Sequence, residues 1–344
     1  MIIVRTQAYN AEKTLDRAIT SILNQTYRHF KYYIIDNGSD DRTSEIIAGY
    51  AKKDGRIRAL RNEINSVEAR KRGLKVLWTV KEVLKLAQQE YPKGKYYCVL
   101  DADDEYLPEF FEKALEFIDT HSLDIAACGW RHLSEETGKP IGQDISVPRD
   151  IILQNDGFAK HISEYRNFTL AVWGKMYSLP IAYENYVNYA KQALLSHMNL
   201  GTDTISVTKM FAYADRVGIM SAKLHIQYMS PTSISSLHQP YMIKHYKPHI
   251  HHKVFSDFLR HKGGRIKPRN KELFNYYFFY SLDMFKYSLI LEIPISEKAS
   301  YSTCIACTYI KSVSFWGLLV TFKKVVAELC RRLFRKNSKP KSPK

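Results

Sequence analysis

Residues 95–111 read KYYCVLDADDEYLPEFF. Tyr96 to Leu100 make a short run of β-prone residues, which then meets three carboxylates in four positions, Asp101, Asp103 and Asp104. Pro108 suits the first turn of a helix over PEFFEKALEFI, and LDIAACGW (123–130) reads as the next strand. Upstream the same rhythm repeats, with IIVRT (2–6), KYYIID (31–36) and IRALR (57–61) as strands. Between them Leu15, Ala18, Ile19, Ile22 and Leu23 recur at helical spacing after Asn10, a capping residue. Ile46, Ile47 and Tyr50 mark a second helix after the turn-forming NGSDD, and a helical pattern runs from Val67 to about Gln89 before PKG breaks it. Strands alternating with helices predict an α/β fold with a parallel sheet and crossover helices.

In open sheets of this kind, ligands gather outside the carboxyl ends of the strands. The second strand delivers Asp36 there and the fourth delivers Asp101 and Asp103, so acids far apart in sequence are expected to share one crevice. Three clustered carboxylates are hard oxygen donors suited to Mg²⁺ or Mn²⁺ shared with phosphate oxygens. The alternative is an acidic loop favoured by the N-terminus of the following helix.

Composition bounds the rest. With 344 residues, 45% apolar and 25% charged, the chain falls in the ordinary globular range, which excludes disordered and collagen-like classes. The excess of 51 Lys and Arg over 35 Asp and Glu, +16, asks for an anionic partner. The longest apolar stretches are about eight residues, as at Phe315 to Phe322, where a membrane span needs about 20. MIIVRTQAYNAEKTL lacks the features of a secretory signal, so a cytoplasmic location is expected. Cys98, Cys128, Cys304, Cys307 and Cys330 are few and odd in number, against a disulfide framework, and the lone CxxC at 304 and 307 reads as buried helical thiols.

The stretch VRTQAYNAEKTLDRAITSILNQTYRHFKYYIIDNGSDDRTSEII (4–47) resembles the N-terminal signature of family 2 glycosyltransferases. YYCVLDADDEYLPE is similar to that family's D-x-D metal motif, WGKMY (173–177) to its W-x-K-x-Y element, and GTD (201–203) to its acidic element. YMSPTSIS (228–235) looks like the usual end of the catalytic domain, so the matches run in order over about 1–236.

The resemblance implies an A-type glycosyltransferase fold, a mainly parallel central sheet flanked by helices, that binds a nucleotide-sugar with Mn²⁺ or Mg²⁺ and inverts the anomeric carbon. Thr6, Tyr9 and Asp36 fall where the family contacts nucleotide, and Arg70 lies near its A-R-N-x-G arginine. Asp103 matches the direct metal ligand, Asp101 the acid that holds ribose or metal-bound water, and Asp203 the catalytic base, with Asp215 and Glu184 as rivals. Lys175 either supports the acceptor site or is a solvated strand residue. Two departures stand out: Asn37 replaces a second Asp that reads the uracil N3–H in relatives, and A-R-K-R-G replaces A-R-N-x-G. UDP remains the expected nucleotide, because an amide oxygen also accepts that bond. His238 is the histidine best placed to reach metal or diphosphate, against a packed or solvated role; His249, His251 and His252 lack ligand spacing.

These roles agree with the chemistry. Breaking a sugar phosphate bond leaves a nucleoside diphosphate, whose charge a divalent ion and an arginine stabilise. The attacking hydroxyl must lose a proton, which a carboxylate on the opposite face accepts. Two domains are expected, a nucleotide-sugar-binding catalytic domain over 1–236 and a helical basic region over 237–344 that ends in a disordered tail. Within the second, residues from about 314 to 335 form a basic amphipathic helix, and from Lys311 onward ten Lys and Arg face one acid. That helix fits the anionic inner face of the cytoplasmic membrane with Trp316 as anchor, or packs on the catalytic domain.

The function expected is sugar transfer to a hydroxyl of a glycan, glycolipid or cell-surface polymer. The alternatives are a nucleotidyl or phosphoryl transferase using the same acids, which lacks a G-x-x-x-x-G-K-[ST] loop here, and a non-enzymatic basic membrane adaptor. No nucleic-acid reading module is present, so none is expected as a partner.

Overall fold

In the computed structural model, residues 1–188, 202–230, 254, 257, 258, 261 and 262 are described. Nine strands among them form one sheet: β1 (Ile2–Ala8), β2 (Phe30–Asn37), β3 (Ile57–Asn62), β4 (Tyr96–Val99), β5 (Glu105–Tyr106), β6 (Ile125–Ser134), β7 (Ile151–Gln154), β8 (Lys175–Ser178) and β9 (Arg216–Met229). The helices are α1 (Leu15–Leu23), α2 (Thr43–Lys53), α3 (Ser66–Lys71), α4 (Val80–Glu90), α5 (Phe110–His121), α6 (Gly157–Lys160), α7 (Ile162–Tyr165), α8 (Leu179–Tyr183) and α9 (Thr202–Tyr213).

The sheet order is β3-β2-β1-β4-β8-β6-β9-β5, with β7 paired to β9. Strands β3, β2, β1 and β4 are parallel, as their spacing by helices predicts. Strand β8 then enters antiparallel between β4 and β6. Two antiparallel steps leave β6 pointing the same way as β4, so the carboxyl ends of β1, β2, β4 and β6 share one edge. The sheet is therefore mixed, parallel in its first half, while β8, β5 and β7 run antiparallel to their neighbours in its second.

Period-two alternation sorts the strand side chains onto two covered faces. Ile3, Tyr33, Ile35, Tyr97 and Val99 pack on one face with α4, α8 and α9, while Ile2, Val4, Tyr32, Ile34 and Cys98 pack on the other with α1, α2 and α5. Cys98 and Cys128 are buried free thiols.

The helical pattern from Val67 to Gln89 divides, where a single helix was expected. Gly73 adopts φ +69°, the N–H of Leu74 reaches Ala69 O at 2.8 Å, and the N–H of Gly73 reaches Arg70 O at 3.2 Å. This is a glycine-terminated C-cap, which closes α3 before α4 restarts behind the extended Thr79. No described helix is long and apolar enough to cross a membrane. The expected domain boundary at 236, the helix at about 314–335, Cys304, Cys307, Cys330 and His238 lie outside the described residues.

Candidate active site

The crevice forms where β1, β2 and β4 end. Asn10, at φ +48°, turns the chain after β1 and knits it to the loop after β2. Its amide N–H donates to Ser39 Oγ at 3.0 Å, its Oδ1 accepts from the Asp40 N–H at 3.0 Å, and the Ala11 N–H donates to Thr43 Oγ1 at 2.8 Å. Tyr9 sits at this rim with 47% of its surface exposed, free to stack on a planar ligand.

Asp36, at the end of β2, is 1% exposed; it accepts the Ser39 N–H at 2.9 Å and meets Arg61 at 3.1 Å. Asn37 beside it is tied to α3: Oδ1 accepts from the Ser66 N–H and Asn62 Nδ2, each at 3.2 Å, and Nδ2 donates to Ser66 Oγ at 3.1 Å. The Thr6 hydroxyl is wholly buried, donates to Leu100 O and is bridged to Tyr32 Oη, both at 2.8 Å. It braces β1 against β2 and the end of β4. Arg70 lies exposed in the last turn of α3.

After β4 the chain turns sharply, and Asp101, Asp103 and Asp104 can each place an oxygen within 4.8 Å of the others. Asp101 opens to the crevice, yet burial and the neighbouring Asp104, Asp103 and Asp203 raise its proton affinity well above the carboxylate norm. Burial raises that of Asp103 as well. Repulsion of this kind is what a divalent cation relieves, and all the donors are hard oxygens, so the residues fit Mg²⁺ or Mn²⁺. Asp104 differs from its neighbours. It is 2% exposed, and its two oxygens take the ring of His225 at 2.8 Å and the Tyr228 N–H at 3.0 Å.

Asp203 stands in the first turn of α9, where it suits the helix dipole, and it lies near enough to Asp101 to raise that group's proton affinity. Burial raises its proton affinity, opposed by the positive charges of Arg5 and Lys175. Of the rivals, Asp215 is excluded by topology. Its N–H donates to Asp124 Oδ2 at 2.7 Å, just before β6 begins, which is the opposite edge of the sheet. Glu184 opens a π-helical turn after α8.

Lys175 is buried, not solvated, with 1% exposure; its ammonium donates to Ala171 O at 2.7 Å and Trp173 O at 3.0 Å. Burial lowers its pKa to about 7. Sequence reasoning missed Arg5 and His225, and grouped Asp104 with the other two acids without its contacts to β9. Arg5 had a signal, a cation inside an apolar strand; its Nε donates to Tyr97 Oη at 2.9 Å and Nη1 to Gln7 Oε1 at 3.1 Å. His225 had none, since one ring in a long strand looks like any other.

Comparison with known proteins agrees with this arrangement. The family model for glycosyl transferase family 2 matches residues 4–170. The chain is 25% identical over 260 residues to the uncharacterized glycosyltransferase EpsJ of Bacillus subtilis, covering 74% of this chain and 68% of that protein. It is 27% identical over 238 residues to the uncharacterized glycosyltransferase YibD of Escherichia coli, covering 67% of this chain and 62% of that protein. The crystal structure of residues 1–349 of TarS from S. aureus superposes with a TM-score of 0.62 at 16% identity, over 91% of this chain and 81% of that one, a likeness of fold. Residues 4–170 thus match glycosyl transferase family 2, and the chain shares the A-type fold of the TarS structure.

Proposed function

We propose that this chain is a metal-dependent inverting glycosyltransferase that moves a sugar from a UDP-sugar to a hydroxyl of a glycan, glycolipid or cell-surface polymer. The observation that carries the reading is the meeting of Asp101 and Asp103 from the end of β4 with Asp203 from α9 in one crevice. The nucleotide is inferred from the TarS structures, which were solved with UDP-GlcNAc and with UDP.

In this reading Asp101 and Asp103 hold Mn²⁺ or Mg²⁺, which when bound supplies positive charge for the diphosphate leaving group. Tyr9, Asp36, Asn37 and Arg70 form the nucleotide side. Asp203 accepts the acceptor hydroxyl's proton as that oxygen attacks the anomeric carbon, and a single in-line displacement inverts it. Arg5 and Lys175 oppose the rise in Asp203 proton affinity that burial causes. The basic amphipathic stretch at about 314–335 is the proposed contact with an anionic membrane, where lipid-linked acceptors reside.

Incubation with UDP-sugars and candidate acceptors, followed by assay of free UDP and NMR of the new anomeric centre, tests this. Free UDP with an inverted linkage, lost in Asp203→Asn and Asp103→Ala, is the expected result. Release of pyrophosphate or a nucleotidylated product would replace it with nucleotidyl transfer. Full activity of Asp103→Ala would remove the metal role.

A further inference from the structure

The carboxylates of Asp101, Asp103 and Asp104 cluster closely enough to be taken as a three-acid metal site. Their hydrogen bonds divide them. Asp104 has its Oδ2 2.8 Å from Nε2 of His225, a ring with no exposed surface, and its Oδ1 3.0 Å from the Tyr228 N–H. Both oxygens therefore face donors on β9, and each is already engaged by one of them. Burial holds the His225 ring neutral, with its pKa down at about 3. The ring meets Asp104 through Nε2.

The ring cannot drift. Trp173 lies 4.3 Å from it centroid to centroid, and Tyr106 meets it edge-on at 5.2 Å. Tyr106 is itself fixed by donating to Val99 O at 2.7 Å and accepting from the Gly174 N–H at 2.8 Å. On the outer side Arg17 donates to Asp103 O at 2.5 Å while lying 3.5 Å from the centroid of Tyr228. His225 Nδ1, by contrast, is buried without a hydrogen-bond partner, which costs stability. A residue present only to fill space there would avoid that cost by being apolar.

We infer that Asp104 and His225 form a positioning pair, not part of the ion's ligand set, which anchors the turn after β4 to β9 and so sets the spacing of Asp101 and Asp103. This rests on the metal role proposed above. Outer partners of this kind fix the orientation of ligating groups, and their loss weakens metal binding about 10–100-fold.

The test compares His225→Gln, His225→Asn and His225→Leu in the full chain. The Gln amide places its N–H about where Nε2 stands, whereas Asn has the same chemistry but is one methylene too short to reach Asp104. Mn²⁺ affinity is read by electron paramagnetic resonance of the free ion, with UDP present, beside metal-free thermal melts. The expected result is near-native affinity for Gln and a loss of about tenfold or more for Asn and Leu. Equal affinity for Gln and Asn, at matched melting temperatures, would overturn the pair's role, as would native affinity in Leu. If Leu fails to fold, the Gln and Asn comparison decides alone. Absence of Mn²⁺ binding by the unmutated protein overturns the metal reading itself, a different result from a variant-insensitive affinity.

Discussion

Asn37 and Ser66 are joined twice, the side-chain oxygen of Asn37 accepting the Ser66 N–H at 3.2 Å and its amide donating to Ser66 Oγ at 3.1 Å. With Asn62 also donating to that oxygen, the amide group is already engaged before a nucleotide arrives. Asn37 thus holds the start of α3, the helix that carries Arg70. Asn37→Ala is expected to cost about 1–3 kcal/mol of stability, by leaving buried donors unpaired, and to weaken UDP binding. Calorimetric titration with a panel of nucleoside diphosphates checks this. Unchanged affinity with an altered base preference would instead make Asn37 a base reader.

Asp203 has its proton affinity raised, so the acid limb of kcat/KM should lie above the usual carboxylate range, with activity lost as pH falls through the raised value. Arg5→Met removes an opposing positive charge and should move that limb to higher pH. Asp203→Asn should lower kcat about 100–10,000-fold. A pH–rate profile of the three proteins measures both effects.

The acids after β4 make a linkage prediction for the metal-free protein. Asp101 and Asp103 bind protons more tightly when folded, so their stability contribution is present at low pH and lost as pH rises through the raised values. Added Mn²⁺ should restore it at neutral pH, raising the melting temperature. The rise should be absent in Asp103→Ala, by differential scanning calorimetry.

Lys175 has the opposite sign. Its pKa is lowered to about 7 by burial, so the unfolded chain binds more protons between about pH 7 and its ordinary value of 10.5, and stability rises with pH over that window. Lys175→Met should flatten that rise in urea melts taken across the same window. A slope unchanged by the substitution would mean that another group titrates.

Gly38 adopts φ +78°, and an added Cβ would stand 2.6 Å from both Asn65 N and Ile64 C. These are backbone atoms and cannot swing aside. Gly38→Ala should destabilise the protein by about 2 kcal/mol or more, measurable by denaturant unfolding, through strain in the loop that carries Ser39 and Asp40.

The first half of the sheet could be read from the sequence because local signals there agree. IIVRT, KYYIID, IRALR and KYYCVL are short β-prone runs set between amphipathic helices, and each became a strand. What escaped was set by contacts between distant residues. Strand β8 enters the sheet antiparallel beside β4, joining Tyr97 to Tyr177, and no local pattern in WGKMY specifies that neighbour. The sequence leaves Lys175 open between acceptor-site support and a solvated strand residue for the same reason, since its burial depends on carbonyls at Ala171 and Trp173 folding back over it. The C-cap at Gly73 was visible as a glycine in a helical pattern, but only the bond from Leu74 to Ala69 shows that it ends a helix. Asp101 and Asp103 can be named from the acids that end a strand, and Asp203 from the resemblance of GTD to the family's acidic element.

Strand β9 reaches from Arg216 to Met229 and pairs with β5, β6 and β7. It also brings His225 and Tyr228 to Asp104, a residue made more than a hundred positions earlier. During synthesis, a chain that has emerged only as far as residue 215 contains every letter of the DADD turn and none of the strand that seats it. On the proposed metal role, competence to hold an ion is acquired late, when a contact of long sequence separation closes. A ribosome releasing this protein early would yield a chain that carries the turn without the strand that seats it.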